Sequence, residues 1–172
     1  MKDISYISHY DSPIGSITLS SDGENLTGLW FDGQKYFGST LPLITKEKSL
    51  PIFGTVKLWL DTYFSGRVPS FTPPLNPYGT PFRKKVWKIL SGIPYGEVIT
   101  YKDITLKITA SEGRRMSAQA VGGAVGHNPI SIIIPCHRVI AVDGSLTGYA
   151  GGIERKEWLL DLERTAYSSR IR

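Results

Sequence analysis

The sequence predicts two domains, an α/β domain followed by a mainly helical one. Three features predict this division. Residues 4–31 read as short strands broken by turn signals, with a helical apolar pattern after them over 51–64. Residues 65–81 then hold five prolines in seventeen positions, an extended and fairly stiff stretch. Beyond it the apolar spacing turns helical and the charge balance changes. Residues 1–79 carry six Lys/Arg against seven Asp/Glu, a net −1, whereas 80–172 carry fourteen against eight, a net +6. The expected boundaries are 1–72 for the first domain, 73–80 for the linker and 81–172 for the second domain.

The first strand is expected over 4–10, where Ile4, Tyr6, Ile7 and Tyr10 are strand formers, with a turn at Ser12-Pro13-Ile14-Gly15. Ser16-Ile17-Thr18-Leu19-Ser20 alternates polar and apolar residues, Asp22-Gly23-Glu24-Asn25 is a second turn signal, and 26–31 is a third strand. The three make an antiparallel meander. Phe53, Val56, Leu60 and Phe64 recur at helical spacing, so 51–64 is an amphipathic helix. After the linker, Thr80 caps a helix that has Pro81 at its first position and an apolar stripe of Phe82, Val86, Ile89 and Leu90. Gly92 to Gly96 ends it, 98–100 is a short extended piece, and short helices are expected over 101–109 and from about Met116 to Val125. Two short helices joined by a turn in a basic domain fit a helix-turn-helix. The second has almost no side-chain bulk (Ala118, Ala120, Gly122, Gly123, Ala124), which permits either tight packing inside the domain or close approach to a partner. The apolar run 130–134 reads as a buried strand leading into Pro135-Cys136-His137-Arg138-Val139, and 158–163 lies on a final helix.

A chain of 172 residues can bury a real core. No apolar run approaches the ~20 residues of a membrane span, and Met1 to Ser5 opens no signal-peptide core. A cytoplasmic protein is expected, nucleoid-associated in a bacterium or archaeon. The basic second half calls for a polyanionic partner, nucleic acid first and anionic lipid second. Cys136 is the single cysteine, so no intrachain disulfide forms, and His9, His127 and His137 are scattered without zinc spacing. Neither a metal nor a cofactor is expected.

A lone cysteine after an apolar run is by default a small buried hydrophobe. His137 beside it points to chemistry, because an ordinary thiol is only a few per cent thiolate at neutral pH and an imidazole can take its proton. An imidazole in that role needs an orienting carboxylate, and Glu163 supplies one if the last helix packs behind the Cys136 segment.

Ile-Pro-Cys-His-Arg-Val at 134–139 resembles the active-site motif of the O6-alkylguanine-DNA alkyltransferases, the methylated-DNA–protein-cysteine methyltransferases. The likeness extends through Gly96 to Tyr101, Ala120 to Ala124, His127-Asn128-Pro129, Gly148 to Gly152 and Lys156 to Leu160, in order and at compatible spacing. It implies a ribonuclease H-like first domain and a winged-helix type of helix-turn-helix in the second. It also implies a single-turnover reaction in which Cys136 keeps the methyl or larger alkyl group, from O6-alkylguanine and by extension O4-alkylthymine. His137 would act through a water as base, with Glu163 holding its ring. Tyr101 would polarise or protonate the leaving guanine at N3, and Asn128 would brace the turn. The backbone at Cys136 and Val139 would accept from the guanine amino group, and Tyr149 and the Ala150 N–H would line the pocket. The partner implied is double-stranded DNA, entered by a monomer through the minor groove with the damaged nucleotide flipped out. Gln119, Arg115, Ala120, Gly122, Arg138 and Lys156 are the expected DNA-side residues. Where the family usually inserts an arginine into the vacated stack, this chain has Gln119, with Arg115 four residues earlier and expected on the same helical face. Two other classes stay open on the residues: a cysteine hydrolase using Cys136 and His137, and a non-catalytic binder or sensor of alkylated DNA. Cys136 argues against the second, since the relatives that only bind lesions lack it.

Overall fold

The computed structural model describes residues 3–171. They form two compact units, 3–78 with 129–131 and 79–128 with 132–171.

In the first unit β1 (Ile4–Ser12), β2 (Gly15–Ser21) and β3 (Leu26–Phe31) make the antiparallel meander, with Ile7 opposite Ser20 and Leu19 opposite Leu29. A fourth strand, β4 (Ile44–Glu47), pairs in parallel with β1, giving the order β3-β2-β1-β4. No strand was expected there, and the reason is plain: its four residues are all exposed and its pairing is non-local. α1 (Pro51–Phe64) lies where the periodicity put it and contacts β1, β2 and β3. Ile17, Leu19, Leu29 and Phe31 of the sheet and Phe53, Val56, Leu60 and Tyr63 of α1 are buried. Each such side chain contributes about 1.5–3 kcal/mol. Gly28 makes room for Trp30, since a Cβ there would stand 2.0 Å from the indole.

The proline-rich stretch is more ordered than a linker. Leu26 donates to the Pro74 carbonyl at 2.8 Å, Asn76 N–H donates to Leu26 at 2.8 Å, and the Asn76 side chain donates to Asp22 at 3.1 Å. Residues 74–76 therefore extend the sheet edge at β3. Its other contact there is Pro129–Ser131, where Leu29 N–H donates to Pro129 and Ser131 N–H to Leu29.

The second unit holds α2 (Pro81–Ser91), β5 (Ile99–Thr100), α3 (Tyr101–Glu112), α4 (Ala118–Gly126), β6 (Val139–Ile140) and α5 (Ile153–Ile171), with β5 and β6 parallel. Thr80 caps α2 by accepting from Arg83 N–H. Thr100 and Asp103 form a reciprocal capping box on α3, and Gly113 ends that helix in the left-handed region at φ 67°. Ser117 caps α4. Arg115 therefore precedes α4 in the connecting loop rather than lying on its first turn, which corrects the expected shared face. α2 buries Val86, Trp87 and Leu90, and the Trp87 indole N–H donates to the Ala124 carbonyl at 2.8 Å, tying α2 to α4.

The run 130–134 is not a strand. Ile130 makes one bridge to Leu29, and the chain then turns through Ser131 to Ile133. Ile132 adopts φ 69°, rare for a β-branched residue. A continuous apolar run signals burial, not which backbone is buried. No helix among the described residues is long and apolar enough to cross a membrane.

Candidate active site

Cys136 opens a short 3-10 turn, Cys136–Arg138. Pro135 before it has φ −82° and ψ 66°, and Cys136 N–H donates to the Ile134 carbonyl at 2.8 Å. This is an inverse γ-turn. The same Ile134 carbonyl accepts from the Asn128 side chain at 2.8 Å, so both its lone pairs are used. Asn128 is buried just beyond the end of α4 and also hydrogen-bonds the Cys136 thiol. One side chain thus fixes the turn and touches the sulfur it presents.

Behind Cys136, α5 brings Glu163 to His137. The imidazole Nε2–H donates to Glu163 Oε1 at 2.8 Å, since an ionised carboxylate can only accept. Arg138 grips the same carboxylate: Nε lies 3.1 and 2.9 Å from its two oxygens and Nη2 lies 2.7 Å from Oε1. Nη1 donates to the Ile93 carbonyl at 2.7 Å. Gly96 N–H reaches Glu163 Oε2 at 3.4 Å.

Lys156, also on α5, is 0 % exposed, and its ammonium donates to the carbonyls of Val139 at 2.5 Å and Thr147 at 3.1 Å. Tyr101, the first residue of α3, points its hydroxyl at the Thr147 and Gly148 carbonyls, 3.1 and 3.5 Å away. Gly148 has φ 67°, and a Cβ there would lie 3.3 Å from that hydroxyl. Tyr149 and Ala150 follow in the same loop, half-buried.

Burial pushes the Cys136 thiol up, against the Asn128 hydrogen bond and the Lys156 charge, which pull it down. Burial pushes His137 down, against the hydrogen bond and charge of Glu163, which pull it up; the Arg138 and Lys156 charges add to the lowering. Burial alone would raise the Glu163 carboxyl. The His137 hydrogen bond and the Arg138 guanidinium outweigh it and hold the group at about 2. Burial lowers Lys156 to about 8, against the pull of Cys136. Burial, then the Cys136 charge, raises Tyr101, so its hydroxyl keeps its proton.

The structure thus gathers Cys136, His137, Glu163, Tyr101, Asn128, Val139 and Lys156 in one neighbourhood. Two expectations change. Arg138 and Lys156 were expected on the DNA side, but their charged ends are buried and engaged by Glu163 and by backbone carbonyls. Lys156 lies between Arg155 and Glu157, and Arg138 follows His137, so nothing local in the sequence marked either as buried. Gln119, Ala120 and Arg115 are exposed and Gly122 is half-buried, away from the cluster on α4 and its approach. A Cβ on Gly122, Gly123 or Gly126 would meet nothing within 4 Å, so packing inside the unit does not require these glycines. Among the described residues no three His, Cys, Asp or Glu side chains gather as a metal site.

Residues 81–165 match the family model for the 6-O-methylguanine DNA methyltransferase DNA-binding domain, and 5–77 match that family's ribonuclease-like domain. A methylated-DNA–protein-cysteine methyltransferase of Haemophilus influenzae is 44% identical over 163 residues, covering 94% of this chain and 88% of its own length. The protein of the same description from Methanosarcina barkeri is 46% identical over 159 residues, covering 92% and 96%. The crystal structure of Mycobacterium tuberculosis OGT in complex with DNA superposes with a TM-score of 0.79 at 41% identity, over 95% of this chain and 94% of that one.

Proposed function

The chain belongs to the 6-O-methylguanine DNA methyltransferase family, and on that membership we infer that it repairs alkylated DNA by direct reversal, with Cys136 as the acceptor. The observation that carries the assignment of roles is the setting of the single thiol. Asn128 and Lys156 flank it, the His137–Glu163 pair stands behind it, and the Tyr101 hydroxyl belongs to the same cluster.

In the proposed reaction Cys136 Sγ bonds to the alkyl carbon as the carbon–O6 bond breaks, its electron pair remaining on guanine. The thiol proton passes through a bridging water to His137 Nδ1, the ring being oriented by its Nε2–H bond to Glu163. Tyr101 gives a proton to guanine N3 and recovers one from the protonated His137 through solvent, so that overall the thiol proton ends on the base and both side chains return to neutral. The product is a thioether, which the protein cannot cleave, so each molecule acts once. A cysteine hydrolase would need a water-labile intermediate, and a pure lesion binder would need no thiol.

We further propose that α3 and α4 act as a winged-helix type of helix-turn-helix, entering the minor groove as a monomer with α4 foremost. Gln119, Gly122, Gly123 and Gly126 share one face of α4 at i, i+3, i+4 and i+7. The open space over these glycines supports close approach by a duplex. Gln119 would fill the stack that the damaged nucleotide leaves, an extrusion that costs a few kcal/mol. Ala120 would sit beside it, and Arg115, from the loop before α4, would meet a phosphate. Tyr149 and the Ala150 N–H would line the base pocket.

Mass spectrometry after mixing with duplex DNA containing O6-methylguanine tests the function. One methyl group on Cys136, and none in Cys136→Ser, is the expected result. Repeated turnover by one protein molecule would overturn it.

A further inference from the structure

We propose that the first unit binds an extended, acidic segment of a partner protein as a short added strand beside β1. This surface shares no residue with the Cys136 cluster. β1 is longer than the strand that covers its edge. β4 pairs with Ile4 to Ile7 and ends at Glu47, whereas β1 runs on to Ser12. Lys48 N–H donates to the Ile7 carbonyl at 3.4 Å, so the backbone groups of Ile7 face the β4 side. Backbone groups alternate in direction along a strand, so His9 and Asp11 present theirs to that same side. β2, on the other side, does not take them up: the Ser16 carbonyl, opposite Asp11, accepts from Asp32 N–H at 2.9 Å instead. The N–H and C=O of His9 and Asp11 therefore lie on an open edge, with no hydrogen bond to a described residue, and both residues are exposed.

This edge is one wall of a groove of about 520 Å³ whose other wall is α1, through Phe53, Gly54 and Lys57. The backbone groups call for an extended occupant, because a strand meets alternate N–H and C=O groups in one line. The charges select its side chains. Lys48 stands over the Tyr6 ring at 4.9 Å, on the face of β1 from which the Tyr10 hydroxyl donates to Asp61 of α1 at 2.7 Å, and Lys57 is on α1 itself. Neither lysine makes an ion pair with a described residue. The neighbouring carboxylates are already engaged, Glu47 by His9 at 3.2 Å, Asp11 by the Ser16 hydroxyl at 3.1 Å and Asp61 by Tyr10. An incoming strand thus meets two cations without a carboxylate on its α1 side and the His9–Glu47 pair on the other, which favours acidic residues alternating with neutral ones. Gly54 leaves the room. It is exposed near the start of α1, and a Cβ there would meet nothing within 4 Å, so helix stability alone would favour alanine.

The probe is a capped pentapeptide, Val-Glu-Val-Glu-Val, titrated into the isotope-labelled full chain. The amide resonances of His9 and Asp11 should shift and their hydrogen exchange should slow, since both N–H groups gain a carbonyl. The same peptide with lysine in place of glutamate should bind more weakly by about tenfold or more. Lys57→Glu should weaken binding of the acidic peptide by about tenfold, and Gly54→Leu, which fills the groove from an exposed helix face, should abolish it. Both variants change surface positions, and the remainder of the amide spectrum verifies that each is folded. No response at His9 and Asp11 in the wild type, or equal binding of the two peptides, overturns the proposal. So does protection of these amides by undamaged duplex DNA, or by the protein alone as its concentration rises, since the edge would then belong to nucleic acid or to a second copy of the chain.

Discussion

The second unit handles polarity in two opposite ways. Around Cys136, five ionisable side chains (Cys136, His137, Arg138, Lys156 and Glu163) are buried together and held by hydrogen bonds to one another and to backbone carbonyls. On the outer face of α4, Gln119 stands exposed beside three glycines over open space. The interior fixes its geometry before any substrate arrives. The helix face carries almost nothing that folding needs and so is left to what it meets. Chemistry and recognition should therefore fail independently, the first with loss of stability and the second without it.

The largest effect is expected from Glu163→Gln. It leaves the Arg138 charge buried without its counter-ion, at a cost of about 3–5 kcal/mol. Chemical denaturation should show that loss together with slowed transfer to a free-base pseudosubstrate such as benzylguanine. The wild type should show the same dependence through pH. The folded carboxyl sits near 2 against an ordinary 4.5, so its stabilisation is complete above about 4.5 and disappears as the pH falls toward 2. The amount is roughly 3 kcal/mol. A melting temperature indifferent to acid over that window, or an undiminished Glu163→Gln, would break the comparison at its buried end.

Gln119→Ala tests the other end. It should slow the reaction with duplex DNA by about tenfold, equivalent to ~1.4 kcal/mol of lost extrusion, while benzylguanine, which needs no flipping, reacts as before. Equal losses on both substrates would mean that α4 and the thiol are not separable.

The smallest effect has an unusual sign. A methyl on Gly123 meets nothing within 4 Å, and alanine is favoured over glycine in a helix by about 0.8–1 kcal/mol. Gly123→Ala should therefore stabilise the fold and leave the free-base rate unchanged, yet weaken duplex binding by standing between helix and DNA. Tighter duplex binding in that variant would show that α4 keeps its distance from the groove.

Local signals made much of this legible from the residues. Phe53, Val56 and Leu60 marked α1, Thr80 and Pro81 marked the start of α2, and the alternation through Ile17 and Leu19 marked the meander. Non-local pairing hid the rest. β4 is too short and too exposed to show periodicity. The isoleucine run at 132–134 looked extended because burial on all sides erases the pattern that separates strand from turn. Resemblance named Cys136, His137 and Glu163 together, but nothing in the chain said that Arg138 would turn inward onto the same carboxylate. A charge beside a histidine reads as a surface charge until a partner appears, and Glu163 lies 25 residues away.

The backbone at Ile132 has a consequence for anyone rewriting this segment. Its φ of 69° is one that glycine adopts without strain, and holding isoleucine there costs about 1–3 kcal/mol. Its side chain is only 1 % exposed, and truncating a buried isoleucine costs about 2–5 kcal/mol. The second figure is the larger, so design software scoring backbone angles alone would insert glycine and loosen the chain four residues before the nucleophile. Software scoring burial alone would keep isoleucine while overlooking the bend it must accept. Only a joint score over both terms recovers the native letter.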